Sequence, residues 1–216
     1  MPMQQSQPQT SVSAQQSQSQ NSTSVQQNQL PQIKTVYINF VDGITLEKVN
    51  TIMTKCNQIM NQVQAETLYF SISSSGGSVD AGIALYHFLK ALPCKIVMHN
   101  IGSIDSIANV VFMAGHRRYA VRQASFLLHG VTFNLPQAIQ MNSAQLKEFQ
   151  AQMDTMHEKI AEIIAENSNL TKTTLEDLFR QGDAKGTTFA KENKIIHGIR
   201  KFKIPLNAPL ITIGNP

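Results

Sequence analysis

Beyond residue 32, two periods of hydrophobic and polar positions organise the chain. From Thr35 to Phe40 (TVYINF) apolar and polar residues alternate and β formers dominate, which predicts a strand. Asp42-Gly43 turns the chain, and from about Thr45 the apolar positions Val49, Ile52, Met53, Cys56, Ile59, Met60 and Val63 recur at helical spacing. Thr67–Ser73 is a second β-rich run. Ser74-Ser75-Gly76-Gly77 interrupts it, and Val79, Ile83, Tyr86 and Leu89 then trace a second helix, closed by Pro93. A third strand, Lys95–Asn100, leads into Ile101–Gly115, which reads as a tight turn followed by a buried helix with Ser106 on or near its first turn. This order predicts an α/β fold of stacked right-handed βαβ units.

Arg118–Val121 and Ser125–His129 read as two further short strands. Residues 143–167 form a long helix with apolar positions Leu146, Phe149, Met153, Met156, Ile160, Ile163 and Ile164 and with Ser143 as its cap. One apolar face on so long a helix serves either as a protruding arm against a partner subunit or as packing for its own core. A short helix (Thr173–Arg180), a loop Gln181–Gly186 and a last helix near Thr188–Lys194 complete a domain spanning 33–204, and 205–216 reads as a C-terminal tail. Residues 1–32 differ in kind: they hold 12 Gln and 7 Ser and no charged residue, too little apolar surface to offset ordering entropy, and are expected to be disordered.

Composition narrows the picture only modestly. The chain has 216 residues, 42% of them hydrophobic, and a formal charge of +4 that is scattered apart from Arg117-Arg118 and Arg200–Lys203. Neither nucleic acid nor membrane is implied. Cys56 and Cys94 lack metal-ligand or redox spacing and sit in or beside apolar runs, so free buried thiols and a reducing compartment are expected. There is no apolar run of about 18 residues and no basic-then-apolar leader pattern, so a soluble cytoplasmic protein is the expectation.

Chemistry is carried by a few positions. A serine at the start of a buried helix lies among unpaired backbone N–H groups and suits a nucleophile whose attack creates an oxyanion; helix N-capping is the alternative use of Ser106. Gly76-Gly77, between strand and helix, offers bare backbone N–H groups to a ligand, or simply makes a turn; neither GxxxxGK[ST] nor GxGxxG is present. Gly102 is placed in the turn ahead of Ser106. Among six histidines, His129 stands apart because it ends a strand with Gly130 following, where a side chain can project into a cleft.

Taken in order, these motifs resemble the proteolytic subunit of the Clp proteases over roughly residues 35–203. Ser74–Gly82 (SSSGGSVDAG from Ser73) is similar to that family's Gly-Gly loop, with Ser75 where proline is usual; Gly102–Ile107 matches its nucleophile turn, Ala114-Gly115 closes the helix that follows, and Arg117–Ala120 with Phe126–His129 matches the strand pair bearing the histidine. The resemblance implies a serine endopeptidase with Ser106 as nucleophile and His129 as general base, since a serine hydroxyl attacks well only when a base near neutral pKa takes its proton. It also implies an acid in the loop before the last helix. Gapless counting lands near Gly186, Asp183 lies in the same loop, and Asp177 or no acid at all remain alternatives. The Gly77 and Ile107 N–H groups would form the oxyanion hole. Peptide or unfolded-protein substrates and a homo-oligomeric ring follow from the resemblance, and the chemistry needs no metal or cofactor.

Departures qualify this. Asp105 precedes the nucleophile where the family has a small residue, and a carboxylate there would hinder peptide access or perturb the triad. Ser71 and Ala91 stand where aromatic residues commonly hold a docking ATPase chaperone, which argues against that partner. The tail has no counterpart of the family's axial-pore segment. Three other readings stay open: a catalytically weak or silent ring subunit beside an active paralogue, a crotonase-like acyl-CoA enzyme, and an adaptor acting through the Gln/Ser tail.

Overall fold

β1 (Thr35–Val41) buries Val36, Ile38 and Phe40 on one face and half-buries Thr35, Tyr37 and Asn39 on the other, the alternation its sequence predicts. It belongs to a computed structural model that describes residues 33–132 and 140–214; the Gln/Ser-rich segment 1–32 lies outside the described residues. Helix α1 (Leu46–Val63) follows, with the Thr45 hydroxyl accepting from the Lys48 N–H at 3.2 Å and Val49, Ile52, Cys56 and Ile59 buried along one stripe. β2 (Thr67–Ser74) pairs with β1 in parallel from Thr35↔Thr67 to Val41↔Ser73. Ser78 caps α2 (Val79–Ala91), and β3 (Lys95–Asp105) then pairs in parallel with β2.

β3 is longer than its sequence suggests. It continues through Gly102, which therefore lies inside a strand and not in a turn. At that point its register against β2 shifts between Ile72 and Ser74, and its other edge changes partner. Val97–Asn100 pairs with β4 (Arg117–Ala120), whereas Ser103–Asp105 pairs with β5 (Ser125–Leu127). The buried Asn100 holds this fork: its Oδ1 accepts from the Gly102 N–H at 2.9 Å and its Nδ2 donates to the Ser125 carbonyl at 2.8 Å. A Cβ at Gly102 would lie 2.6 Å from the Ser73 hydroxyl, so the strands approach here only because the residue is glycine.

Helix α3 (Ala108–Met113) is wholly buried and leads to β4. Helix α4 (Ser143–Glu166) is capped by Asn142 and not by Ser143: Asn142 Oδ1 and the Gln145 side chain exchange bonds with each other's N–H groups in a capping box. Only Ile160, Ala161, Ile163 and Ile164, near the end of α4, are buried. Helix α5 (Lys172–Gln181) ends at Gly182 in the left-handed region, β6 (Ala184–Gly186) pairs antiparallel with β5, and α6 (Thr187–Glu192) follows. β7 (Gly198–Ile199) pairs with β4. The segment after Pro205, read as a tail, supplies β8 (Leu210–Ile213), which pairs in parallel with β1 from Tyr37↔Leu210 to Phe40↔Ile213.

Among the described residues the fold is thus a mixed α/β arrangement around an eight-stranded sheet ordered β6-β5-β3-β2-β1-β8, with β4 and β7 branching from β3, and it is parallel except at β5–β6. The helices pack in sequence, α1 on α2, α2 on α3, α3 on α4 and α4 on α5. Arg118, 5% exposed, ties the far side of α3 to the C-terminal elements by donating to the carbonyls of Gly115, Asn167, Lys194 and Ile195. Burial lowers its pKa to about 10, which leaves it charged at neutral pH. Among the described residues no helix is long and apolar enough to cross a membrane.

Candidate active site

The site lies at the fork in β3, where Asp105 ends the strand and Ser106 begins the turn into α3. Ser106 has φ +56°, a left-handed conformation that costs a non-glycine residue about 1 kcal/mol. The N-cap of α3 is Ile107, with no side-chain capping bond, so the Ser106 hydroxyl does not cap the helix. Its N–H donates to the Leu127 carbonyl at 2.9 Å, and its carbonyl accepts from the Asn109 N–H at 3.0 Å. Both backbone groups of Ser106 are committed, and the residue as a whole is half-buried.

The Gly-Gly loop packs against this turn. A Cβ on Gly76 would sit 2.6 Å from Ser106 Cβ, 2.9 Å from the Asp105 carbonyl oxygen and 3.3 Å from Ser106 Oγ. Gly77, at φ +147°, lies against Ile44, whose carbonyl oxygen would be 2.2 Å from an added Cβ. The neighbours of Gly77 form the bridge to that residue: the Ile44 N–H donates to the Gly76 carbonyl at 2.7 Å and the Ser78 N–H to the Ile44 carbonyl at 2.8 Å. Among the described residues, the N–H groups of Gly77 and Ile107 have no backbone acceptor outside regular elements.

His129 lies two residues beyond the end of β5, so the strand is shorter than the expected Ser125–His129. Its Nδ1 is 2.7 Å from the Gly130 carbonyl; a carbonyl only accepts, so in neutral His129 the hydrogen is on Nδ1 and the lone pair on Nε2. Two helices pin the segment that follows. The Gly130 N–H donates to the Phe179 carbonyl of α5 at 3.2 Å, and the Val131 N–H donates to His157 Nε2 of α4 at 2.7 Å. From sequence alone, His157 was only one histidine on a long helix; here it tethers the chain beside His129.

Asp183 does not reach His129. It is exposed, its nearest ion-pair partner is Lys185 at 3.9 Å, and among the described residues no hydrogen bond or ion pair joins it to the histidine. The β5–β6 pairing, in which Leu127 faces Ala184, sets Asp183 level with Leu128 if carried one residue further. Asp177 pairs with Arg180 on the surface of α5. Asp105 is closer to the chemistry. Burial pushes its carboxyl above the usual range, while the Ser103 hydroxyl, the charge of His129 and the Leu127 N–H pull the other way.

His99 is not part of this site. It is 1% exposed in β3, with Nδ1 at 2.7 Å from Tyr69 Oη and Nε2 at 3.2 Å from the Arg200 carbonyl, and burial holds its pKa below the ordinary value. Ser71 is buried too and donates to Asn39 Oδ1 at 3.0 Å. Among the described residues no group of three or more His, Cys, Asp or Glu is arranged to hold a metal ion.

The structure thus sets a serine in a left-handed turn between a glycine pair and a histidine-bearing strand end, within a largely parallel α/β sheet. The family model of Clp protease matches residues 18–195, and the chain belongs to that family; its activity class is that of a Clp-type serine peptidase. The chain is similar to the ATP-dependent Clp protease proteolytic subunit 2 of Pseudomonas aeruginosa, 23% identical over 172 residues that cover 77% of this chain and 84% of the relative. It is 28% identical over 140 residues to the proteolytic subunit 1 of Corynebacterium jeikeium, covering 59% and 71%. It is 24% identical over 169 residues to the proteolytic subunit 2 of Chlamydia trachomatis, covering 74% and 80%.

Proposed function

We propose that the chain is a serine endopeptidase that cleaves peptides or unfolded chains through an acyl-enzyme, with Ser106 as nucleophile, His129 as base and Asp183 as acid. The observation that carries this is the fit of Gly76 against Ser106: an absent side chain lets the glycine loop close over a serine held in a left-handed turn. In this mechanism His129 Nε2 takes the Ser106 proton as Oγ attacks the scissile carbonyl. The Gly77 and Ile107 N–H groups receive the oxyanion, and the proton then passes to the leaving amine. Water attacks the acyl-enzyme in the reverse sense and releases the acid. The Gly130 carbonyl, which holds the Nδ1 hydrogen in the free chain, orients the ring until Asp183 moves in from the turn ahead of β6.

A fluorophosphonate probe tests this. The wild type is expected to label and Ser106→Ala to lose all labelling, while Asp183→Asn should lower kcat by about 10²-fold or more. A folded wild type that does not label sinks the peptidase reading. One observation favours the silent-subunit reading, namely that Asp183 faces solvent beside Lys185. Hydrolysis of a fluorogenic peptide by the purified chain alone excludes that reading. Ring assembly belongs to the proposal as well, through the long exposed part of α4. An ATPase partner is less supported, since the buried Ser71 and the exposed Ala91 offer no aromatic anchor.

A further inference from the structure

Asn109 is the one polar residue of α3, a helix in which every residue is buried, and it is 0% exposed. Its Nδ2 lies 3.0 Å from the Ser106 carbonyl, 2.9 Å from the Leu127 carbonyl and 3.2 Å from the Ile104 carbonyl. A carboxamide has two hydrogens, so one is shared between two of these three acceptors. The opposite orientation would set Oδ1 against three carbonyls, so the amide direction is fixed. Oδ1 itself is buried with no partner among the described residues. A buried acceptor left without a donor is destabilising, a cost that an aliphatic residue in this place would not carry.

The three carbonyls belong to the elements that have to be in register for acyl transfer. Ile104 is in β3, Ser106 is the nucleophile, and Leu127 ends β5 two residues before His129. The Leu127 carbonyl also accepts the Ser106 N–H, and the Ser106 carbonyl also accepts the Asn109 N–H. We propose that Asn109 is a positioning residue: its carboxamide locks the left-handed Ser106 turn to the end of β5 and so sets the distance between nucleophile and base. This rests on Ser106 and His129 having the roles given above. A displacement of about 1 Å in such a pair costs about 10²-fold in rate.

The test compares full-length wild type, Asn109→Ala and Asn109→Ser by kcat and KM on a fluorogenic peptide, by phosphonylation rate and by thermal unfolding. Asn109→Ala is expected to lose about 10²-fold in kcat and in phosphonylation rate with KM little changed. Asn109→Ser should recover part of that loss, because its hydroxyl can donate to a carbonyl of the preceding turn. A folded Asn109→Ala variant with wild-type rates overturns the proposal, and so does one that only melts earlier. If Asn109→Ala does not fold, faster rates in Asn109→Ser than in Asn109→Val, which supplies no donor, support it; equal rates in the two overturn it. A wild type that does not react overturns the peptidase reading instead. Amide exchange over residues 104–108, expected to speed up in Asn109→Ala, then tests the clamp by itself, and unchanged exchange removes it.

Discussion

At the residue scale, opposed influences act on the Asp105 carboxyl. Burial disfavours its charge, and Ser103, His129 and the Leu127 N–H favour it, with burial the larger effect. An unfolded aspartate titrates near about 4, and the folded value lies above that. The fold therefore binds the proton more tightly than the unfolded chain, and stability falls as pH rises from the unfolded value through the folded one. Above both values the whole cost of the buried charge is present. Asp105→Asn should accordingly raise the urea midpoint at pH 7, and the gain should vanish below about pH 4. A midpoint difference that is the same at both pH values would remove this account. The same residue was visible in the sequence as a departure beside Ser106. Its closeness to His129 was not, because that requires β5 to pair with Ser103–Asp105 across some twenty residues of chain.

At the scale of elements, the glycine loop and the strand–turn–helix junction form one unit. Gly76 is at φ +90°, where a side chain is strained whatever the space, and an added Cβ meets both Ser106 Cβ and the Asp105 backbone. Gly76→Ala is expected to cost about 1 kcal/mol or more in stability and to slow phosphonylation of Ser106 by about 10²-fold. Wild-type reactivity in a folded Gly76→Ala chain would separate the loop from the site. Helices α1, α2 and α4, with β1, β2 and the first half of β3, were legible because they repeat at 3.6 or 2 residues. β6, three residues reading Ala-Lys-Gly, carries no period at all and exists only because β5 offers it an edge. β8 likewise reads as tail until β1 pairs with it, burying Ile213 to 3% exposure.

At the scale of the molecule, α4 is anchored by its last turns and carries its apolar stripe outward from there. Leu146, in the first turn of the helix, is 56% exposed. An exposed position of this kind changes monomer stability by within about 0.5 kcal/mol when substituted. Leu146→Glu should therefore leave the melting temperature nearly unchanged and shift sedimentation toward smaller species. Unaltered assembly would show that the stripe is not an interface between copies of this chain.

The sequence by itself determined the α/β order of elements, the family and the short set of residues worth suspecting, since periodicity, a glycine pair and a serine where a strand gives way to a helix are local signals. Which suspects meet was decided by the tertiary structure. The fork in β3 brings Leu127 to Ser106, α4 and α5 pin the chain after His129, and Asn109 joins the carbonyls of Ile104 and Ser106 to that of Leu127 in β5. Asp183, by contrast, faces solvent beside Lys185. Contacts of that kind depend on strand pairing between distant segments, and no local period along the chain encodes them.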